Sequence, residues 1–315
     1  MDHIPTRQDI IEAHKSIINY IHRTPVYTNA SINRVTEATI YFKCENFQKV
    51  GAFKMRGASC AVAALDEDTR YKGIATHSSG NHAQAVALTA KLYGIESHIV
   101  MPENAPAIKR QAVEEYGAKI YTSGNRIEDR EKKMTEVLQA SGASFIHPYN
   151  NYDIIAGQAT ASKELLEDLP DLDTVIAPVG GGGLLSGTAL TCRYHDEQIK
   201  VYGAEPALVD DAARSLASGK IEGNFRIDTI ADGLRTNLGD KTFAIISKYV
   251  DEILTVEEES IIAAMRMIWE RMKIVVEPSG AVPLAAILSH PTIFTGKKVG
   301  AIISGGNVDL QNLPF

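Results

Sequence analysis

Four consecutive glycines, Gly180, Gly181, Gly182 and Gly183, are the first feature of the sequence that could carry chemistry. They follow the apolar run VIAP at residues 175–178 and lead into a helical pattern. Because glycine has no Cβ, the backbone can wrap closely around a ligand and point several N–H groups at it. The positive end of the following helix favours an anion, so the run predicts a phosphate-binding turn. It lacks the GK[ST] ending of a Walker A loop and the spacing of GxGxxG, and a flexible turn is the alternative.

Lys54 is the second candidate, in the segment FQKVGAFKMRGA at residues 47–58. A lysine amine can form a Schiff base with an aldehyde when its surroundings favour the neutral amine. The ring of Phe53, the preceding residue, could cover one face of a flat ligand. A lysine in a helix is more often only a solvated charge, so this assignment depends on the rest of the chain.

The elements that must position these residues are short β-branched runs that alternate with Ala- and Leu-rich helical patterns. This alternation predicts an α/β fold of two lobes, each a mostly parallel, twisted sheet flanked by helices. Such sheets bind ligands beyond the carboxyl ends of their strands, where turns enter helices. The predicted strands are residues 39–42, 73–76, 97–101, 119–121, 144–146, 174–177, 200–203, 252–254 and 299–303.

Composition and charge narrow the class of protein. The chain has 315 residues, 44% of them hydrophobic and 23% charged, which is enough to fill two compact lobes. The net charge of -7 argues against a general affinity for nucleic acid or anionic membranes. The three cysteines include no CxxC pair and are odd in number, which favours reduced thiols in an intracellular protein. With no signal peptide and no apolar run of ~20 residues, we expect a cytoplasmic location.

Four segments along the chain occur in an order that is typical of one family of enzymes. They are FQKVGAFKMRGA, SSGNHAQAVA at residues 78–87, PVGGGGLLSG at residues 178–187 and SGGNVDL at residues 304–310. Together they resemble the motifs of the fold-type II pyridoxal-phosphate enzymes, in the branch that holds serine racemase and serine/threonine dehydratase. The resemblance implies a tryptophan synthase β-like fold. It also implies a large cofactor-binding domain of residues 1–72 and 150–315 and a small domain of residues 73–149.

The resemblance assigns the cofactor contacts. Lys54 would bond covalently to pyridoxal phosphate and act as the base on one face of it, beside Phe53. The glycine run 180–183 would hold the phosphate, and Asn81 would bond the ring oxygen. Ser304 would form a hydrogen bond to the pyridine nitrogen. Unlike an aspartate, a serine cannot keep that nitrogen protonated. The ring is then a weaker electron sink, which favours elimination or reprotonation over transamination.

The substrate would lie at the segment that begins SSGNH. By position between a strand and a helix, Ser78, Ser79, Asn81 and His82 could hold a carboxylate with free N–H groups. The resemblance makes Ser79 the acid/base group on the face opposite the lysine. Racemisation needs two such groups, whereas elimination can proceed with the lysine alone. A helix N-cap is the alternative role for Ser79.

Two positions depart from the mammalian-like racemases. Tyr149 stands where those proteins have an asparagine next to the cofactor, and Arg235 stands where they have a lysine near the substrate pocket. An arginine can bind a carboxylate through two parallel hydrogen bonds. Arg235 therefore raises L-threo-3-hydroxyaspartate as a substrate, with a structural ion pair as the alternative.

The resemblance also implies a cation site and a nucleotide site. Glu205, the carbonyl of Val209 and Asp211 would bind Mg²⁺, Ca²⁺ or Mn²⁺ through hard oxygen ligands. Solvated acidic caps are the alternative for these residues. ATP would bind as an activator between the subunits of a homodimer. The residues that match this site are Ser31, Lys49, Gln84, Tyr116, Lys273 and Asn307.

The sequence thus predicts an enzyme that acts on a small hydroxy-amino acid, with no nucleic-acid or membrane partner. The first hypothesis is a serine racemase with serine/threonine dehydratase activity. A dehydratase dedicated to L-threo-3-hydroxyaspartate is the second. A non-catalytic protein that binds a phosphate or a nucleotide is the third, and Lys54 beside an aromatic ring argues against it.

Overall fold

The computed structural model describes residues 1–105 and 107–315, in which helices and strands alternate along the chain. The strands are β1 Val26–Tyr27, β2 Thr39–Cys44, β3 Ile74–His77, β4 Ser97–Pro102, β5 Lys119–Ser123, β6 Ser144–Phe145, β7 Thr174–Pro178, β8 Lys200–Pro206, β9 Glu252–Val256 and β10 Lys298–Ile303. The helices are α1 Arg7–Ile17, α2 Ala30–Thr36, α3 Lys54–Ala63, α4 Glu67–Tyr71, α5 Asn81–Tyr93, α6 Ala107–Glu115, α7 Ile127–Ser141, α8 Tyr152–Asp168, α9 Gly183–His195, α10 Asp211–Ser218, α11 Asp240–Tyr249, α12 Glu258–Met272, α13 Pro278–Ser289 and α14 Pro291–Phe294.

The strands form two sheets. The larger sheet has the order β1-β2-β10-β7-β8-β9, and all its neighbours are parallel except β1 and β2. The smaller sheet has the order β5-β4-β3-β6 and is wholly parallel. The predicted α/β fold of parallel sheets flanked by helices is confirmed, and each predicted strand corresponds to one in the structure. The short edge strand β1 was not predicted.

The smaller sheet and the helices α5, α6 and α7 all lie within residues 74–145. We call this part the small lobe and the rest of the chain the large lobe. The domain boundaries expected from the resemblance stay a prediction. No helix among residues 1–105 and 107–315 is both long enough and apolar enough to cross a membrane.

Helices cover both faces of the larger sheet. Val175 and Ala177 of the central strand β7 belong to a hydrophobic cluster that includes side chains of α8 and α9. Ile176, between them, belongs to the cluster built with α12 and α13. Successive side chains of a strand point to opposite faces, and strands of parallel sheets are usually buried on both. This arrangement leaves the carboxyl ends of the strands as the place where loops can gather around a ligand.

A buried network of charges holds α3 against β2 and α8. Arg56 donates to the carboxylate of Glu45 at 2.7 and 2.8 Å and to that of Glu164 at 2.8 Å. Lys43 Nζ donates to Glu164 at 2.7 Å. The side chains of all four residues have 0% exposure. Two cations thus balance two carboxylates in this network. Removing any one of the four charges would lower the stability of the fold, because a buried partner would be left unpaired. The network therefore fixes α3, which begins at Lys54.

Replacing Arg56 by leucine should lower the free energy of unfolding by about 3–5 kcal/mol, because two buried carboxylates then face one cation. Urea denaturation of the variant and the wild type measures this difference. Arg266→Leu is the matched control, since Arg266 pairs with Glu270 at 2.9 Å on the surface and exposed pairs contribute little. Equal losses in both variants would contradict the importance of the buried network.

Candidate active site

The glycine run lies between β7 and α9 and is closely packed on two sides. A Cβ on Gly181 would lie 2.3 Å from Cδ1 of Tyr149, and Gly182 has a φ of +88°, where other residues are strained. A Cβ on Gly180 would lie 2.9 Å from Cα of Leu234. Larger residues are therefore excluded from this turn both by its neighbours and by its backbone conformation.

The backbone N–H groups of this turn are buried and unpaired. From Gly180 to Leu185, none donates a hydrogen bond within the part of the chain that the structure describes, and all these residues are buried. The N–H of Ser186 is the next along the chain, and it donates to the carbonyl of Gly182 at 2.8 Å. Buried donors without a partner are costly, and these lie at the positive end of α9. The turn therefore fits an anion such as the phosphate of pyridoxal phosphate.

Lys54 is the first residue of α3, and its amine lies at the same edge of the sheet. Lys54 Nζ donates to the carbonyl of Pro148 at 2.8 Å and lies 5.1 Å from the ring centroid of Phe53. Burial lowers the pKa of Lys54 to about 8, although the carboxylate of Glu277 acts in the opposite direction. A substantial fraction of the amine is therefore neutral near physiological pH, as a nucleophile or a base requires.

Ser304, directly after β10, is tied to the segment that carries Lys54. The N–H of Phe53 donates to the carbonyl of Ser304 at 3.0 Å, and the N–H of Gly306 donates to the carbonyl of Gly51 at 2.9 Å. Ser304 is buried, and its hydroxyl makes no hydrogen bond to any residue that the structure describes. Two segments about 250 residues apart in sequence therefore meet here through main-chain hydrogen bonds.

Asn81, at the start of α5, is held by two residues of the large lobe. Its Nδ2 donates to Glu277 Oε1 at 2.9 Å, and its Oδ1 accepts from Asn307 Nδ2 at 2.9 Å. The N–H of Asn307 donates to Glu277 Oε2 at 3.1 Å. Burial raises the pKa of Glu277 to about 7, and the carboxylate of Asp232 acts in the same direction. Sequence reasoning missed Glu277, whose position before Pro278 gave only the weak signal of a helix start.

The segment that begins SSGNH places free donors at the start of α5. The N-cap residue is Gly80, with no side-chain cap, so the alternative role of Ser79 as N-cap is wrong. Ser78 Oγ accepts from the N–H of Gly80 at 3.3 Å. His82 is buried, and its Nε2 lies 3.0 Å from the carbonyl of Ile146. Burial lowers the pKa of His82 to about 3, so its ring is neutral and offers no cation to a substrate.

The guanidinium of Arg235 donates hydrogen bonds to a backbone carbonyl. Its Nε and Nη2 donate to the carbonyl of Thr229 at 3.2 and 2.7 Å. It forms no ion pair with any described residue, so the structural pair considered from the sequence is not formed. The neighbouring Leu234 lies against Gly180, which places this segment beside the glycine turn. Contact between Arg235 and a substrate stays a prediction.

A sequence profile of the family described as pyridoxal-phosphate dependent enzyme matches residues 17–305. The chain belongs to this family. It is 48% identical to serine racemase from Dictyostelium discoideum, over 98% of this chain and 96% of the relative. It is 46% identical to beta-hydroxyaspartate dehydratase from Paracoccus denitrificans, over 99% of each chain. The structure of maize serine racemase superimposes with a TM-score of 0.96, at 47% identity over 98% and 95% of the two chains. The resemblance found in the sequence is confirmed.

In this pyridoxal-phosphate family member, a buried acidic pair consists of Glu205, near the end of β8, and Asp211, at the start of α10. The carboxylate of Glu205 accepts from the N–H groups of Ala212 and Ala213 at 3.1 and 3.0 Å. Asp211 accepts from Asn224 Nδ2 at 2.7 Å. Burial raises the pKa of Glu205 well above its usual value, with the charge of Asp211 acting in the same direction, and burial raises the pKa of Asp211 to about 6. The two carboxylates are therefore buried rather than solvated caps.

The acidic pair would offer a cation few protein ligands. Within residues 1–105 and 107–315, no group of three or more His, Cys, Asp or Glu side chains could hold a metal ion. The pair has only two acidic members, with the buried Val209 between them in sequence. Oxygen ligands of this kind suit a hard cation that keeps several waters.

The residues predicted for a nucleotide lie in several places. The turn Lys49–Gly51 contacts α5, the helix that carries Gln84. Asn307 bonds Asn81 at the start of the same helix. Tyr116 follows α6 and packs against the hydrophobic cluster of the small lobe.

Ser31 and Lys273 lie on neighbouring helices of the large lobe. Ser31 is in α2, and Lys273 directly follows α12 with a φ of 61°. The two helices contact each other, and Asn29 Nδ2 donates to the carbonyl of Arg271 at 3.0 Å. The convergence of all six residues on one nucleotide stays a prediction.

Replacing Gly181 by alanine should lower the free energy of unfolding by about 1–3 kcal/mol, because the new Cβ overlaps the ring of Tyr149. The measurement is urea denaturation of the protein free of cofactor. Adding Tyr149→Ala to Gly181→Ala should relieve the overlap, so the double variant should lose less than the two single losses summed. Gly223→Ala is the control, since a Cβ there would meet only Asn237 at 3.8 Å. Strict additivity of the two substitutions would contradict the packing described.

Proposed function

We propose that the chain is a pyridoxal-phosphate-dependent serine racemase that also acts as a serine and threonine dehydratase, an ammonia-lyase. The observation that carries the proposal is the presence of both Lys54 and Ser79 in the family motifs of one chain. Lys54 begins α3 in the large lobe, whereas Ser79 precedes α5 in the small lobe. The two groups that would transfer protons thus come from different lobes. Relatives over nearly the full length of the chain are named serine racemase.

The cofactor, when bound, supplies an electron sink for the charge that develops at the α-carbon of an amino acid when its proton is removed. The donors from Gly180 to Leu185 would hold its phosphate, and the hydroxyl of Ser304 would face the ring nitrogen. The amine of Lys54, with a pKa lowered to about 8 by burial, would bond to its aldehyde and take the α-proton. The free N–H groups at the start of α5 would hold the substrate carboxylate.

Ser79 would give or take a proton on the face opposite Lys54. The side chain is half-buried, and its hydroxyl makes no hydrogen bond within the described part of the chain, which leaves it available. Proton delivery there converts L-serine to D-serine. Loss of the hydroxyl group as water needs removal of the α-proton by Lys54 and delivery of a proton to the departing hydroxyl, and neither transfer requires Ser79.

Ser79→Ala should reduce racemisation of L-serine by ~10²–10⁴-fold, the usual loss for a positioned acid/base group. Dehydration of L-serine should stay within about tenfold of the wild type, a change of ~1.4 kcal/mol in the barrier. The measurement follows D-serine and pyruvate from the same reaction. Ser79→Thr, which keeps a hydroxyl, is the matched variant and should retain more racemisation. An equal loss of both products would mean that Ser79 positions the substrate and transfers no proton.

Lys54→Ala should abolish turnover, because it removes the covalent attachment point and the base together. It should also leave no cofactor on the protein after borohydride reduction and denaturation. Lys72→Ala, a surface change, controls for the loss of a charge. A Lys54→Ala protein that retains the reduced cofactor would show that another lysine is the attachment site.

A dehydratase of L-threo-3-hydroxyaspartate is the second candidate function. It is favoured by the Paracoccus denitrificans relative already described and by one from Saccharomyces cerevisiae named L-threo-3-hydroxyaspartate ammonia-lyase, 47% identical over 98% of this chain. Arg235 would bind the second carboxylate after leaving Thr229. Comparing kcat/KM for L-serine, L-threonine and L-threo-3-hydroxyaspartate decides between the two. The third hypothesis, a binding protein without catalysis, loses support because these relatives are enzymes.

We also propose that Glu205, the carbonyl of Val209 and Asp211 bind Mg²⁺, with Ca²⁺ or Mn²⁺ as substitutes. The buried carboxylates have only N–H donors as partners, and their mutual repulsion would be relieved by a cation. The site lies at the carboxyl end of β8, which pairs with β7, the strand that leads into the glycine turn.

Mg²⁺ should raise the melting temperature of the wild type after EDTA treatment, because a cation bound only to the folded state stabilises it. Glu205→Ala should remove this response, whereas Glu197→Ala, which alters an exposed carboxylate, should keep it. Thermal unfolding followed by circular dichroism measures both. No response of the wild type to EDTA or Mg²⁺ would exclude the site.

A homodimer that binds ATP between its subunits and works in the cytoplasm completes the proposal. Three exposed apolar side chains lie near the predicted nucleotide residues, namely Tyr27, Phe47 and Val275. The rings of Tyr27 and Phe47 contact edge to face at 6.2 Å, and Asn46 bonds the carbonyl of Val275. Apolar patches of this kind favour burial against another protein surface. Analytical ultracentrifugation with and without ATP tests both the dimer and the effect of the nucleotide.

A further inference from the structure

An ion pair joins the two lobes. Lys109 of α6 lies with its Nζ 2.5 Å from Oδ2 of Asp232. The small lobe contains four other ion pairs among its described residues, and each joins two residues of the small lobe to each other. Among the ion pairs that the structure describes, Lys109 and Asp232 alone connect the small lobe to the large lobe.

Asp232 is fixed beside the candidate active site. It begins the short turn Asp232–Leu234, whose Gly233 donates its N–H to Ser279 Oγ at 3.1 Å. The same turn lies against the phosphate-binding run, since a Cβ on Gly180 would lie 3.2 Å from the carbonyl oxygen of Gly233. The large-lobe member of the pair is thus held by the glycine turn on one side and by α13 on the other.

The pair is open to solvent, in contrast to the charges around Arg56. The side chain of Lys109 is 21% exposed and that of Asp232 is 41% exposed. Both charges also act on the buried Glu277, where Asp232 raises the pKa and Lys109 lowers it. Glu277 in turn bonds Asn81 at 2.9 Å. The pair therefore stands at the rim of the site, near enough to influence charges inside it.

We propose that Lys109 and Asp232, in addition to Arg235, determine how tightly the site binds an amino acid with a second carboxylate. This inference rests on the proposed function and names a determinant of its substrate class. Asp232 compensates the charge of Lys109 while the site is free. A carboxylate on the substrate side chain competes with Asp232 for Lys109, so one ion pair replaces another at little cost. An uncharged substrate side chain, such as that of serine, does not compete with Asp232 for Lys109 and leaves the ion pair intact.

The two halves of the pair therefore have opposite effects on a dicarboxylic ligand. Asp232→Asn keeps the size of the side chain but frees Lys109, and the ligand should bind ~3–10-fold more tightly. Lys109→Met removes the cation and leaves Asp232 to repel the ligand, which should bind ~3–10-fold more weakly. Lys109→Arg keeps the charge and should stay near the wild type. Affinity for a monocarboxylic ligand should change by less than about twofold in all three variants.

The experiment uses the holoenzyme and two probes that cannot undergo dehydration, L-aspartate and L-alanine, which differ only by the second carboxylate. Neither carries a hydroxyl that could be eliminated. The change in absorbance of the bound cofactor on titration gives both dissociation constants, and their ratio is the measured quantity. Glu96→Gln and Lys119→Met are the matched controls, because this exposed pair of the small lobe at 2.7 Å lies apart from the rim and should leave the ratio unchanged.

The expected result is a shift of the ratio in opposite directions for Asp232→Asn and Lys109→Met, with no shift in the controls. A ratio within about twofold of the wild type in both variants overturns the inference. Equal changes for both probes also overturn it, because the pair would then only hold the lobes together. If the wild type turns over neither L-serine nor L-threo-3-hydroxyaspartate but the ratio shifts as stated, the proposed function fails and this inference stands.

Discussion

A buried network of ion pairs anchors α3, the helix that begins at Lys54. This anchoring holds the amine of Lys54 in its buried position. Arg56, two residues further along, reaches Glu45 after β2 and Glu164 in α8, and Lys43 completes the balance. A buried ion network contributes less to net stability than its strength suggests, because desolvation offsets most of the attraction. It does fix geometry, since each partner has few other positions. The start of α3 is therefore set relative to the sheet before any ligand binds.

The remaining parts of the site are brought together by the ends of neighbouring parallel strands. β2, β10, β7 and β8 lie side by side, so the segments that follow them emerge at one edge although they are far apart in the chain. Main-chain hydrogen bonds then join two of these segments, from Phe53 to Ser304 and from Gly306 to Gly51. The small lobe contributes through Asn81, which bonds Glu277 and Asn307 across the boundary. Packing of α3 against α5 also joins the two lobes, since residues of both belong to one hydrophobic cluster.

Much of this arrangement could be predicted from the sequence, because it follows from local patterns. β-Branched runs between turn residues predicted the strands from β2 to β10, and four glycines after a buried strand predicted an anion site. The edge strand β1 was not predicted, because its two residues are too few to show the alternation of apolar and polar side chains. The role of Ser79 as a helix cap was wrong because the chain enters the helix one residue later, at Gly80. Glu277 was missed because its partner Asn81 lies 196 residues away, and no local pattern marks such a contact.

The unpaired donors between β7 and α9 have a consequence for the life of the protein in a cell. In a newly made chain without its cofactor, the N–H groups of this turn donate to no residue that the structure describes, so a bound phosphate adds stability that the cofactor-free chain lacks. The stabilisation gained on loading grows with the logarithm of the free cofactor concentration. Proteases act on the fraction of molecules that is transiently open. At a constant rate of synthesis, the amount of folded protein should therefore rise with the free concentration of pyridoxal phosphate in the cell.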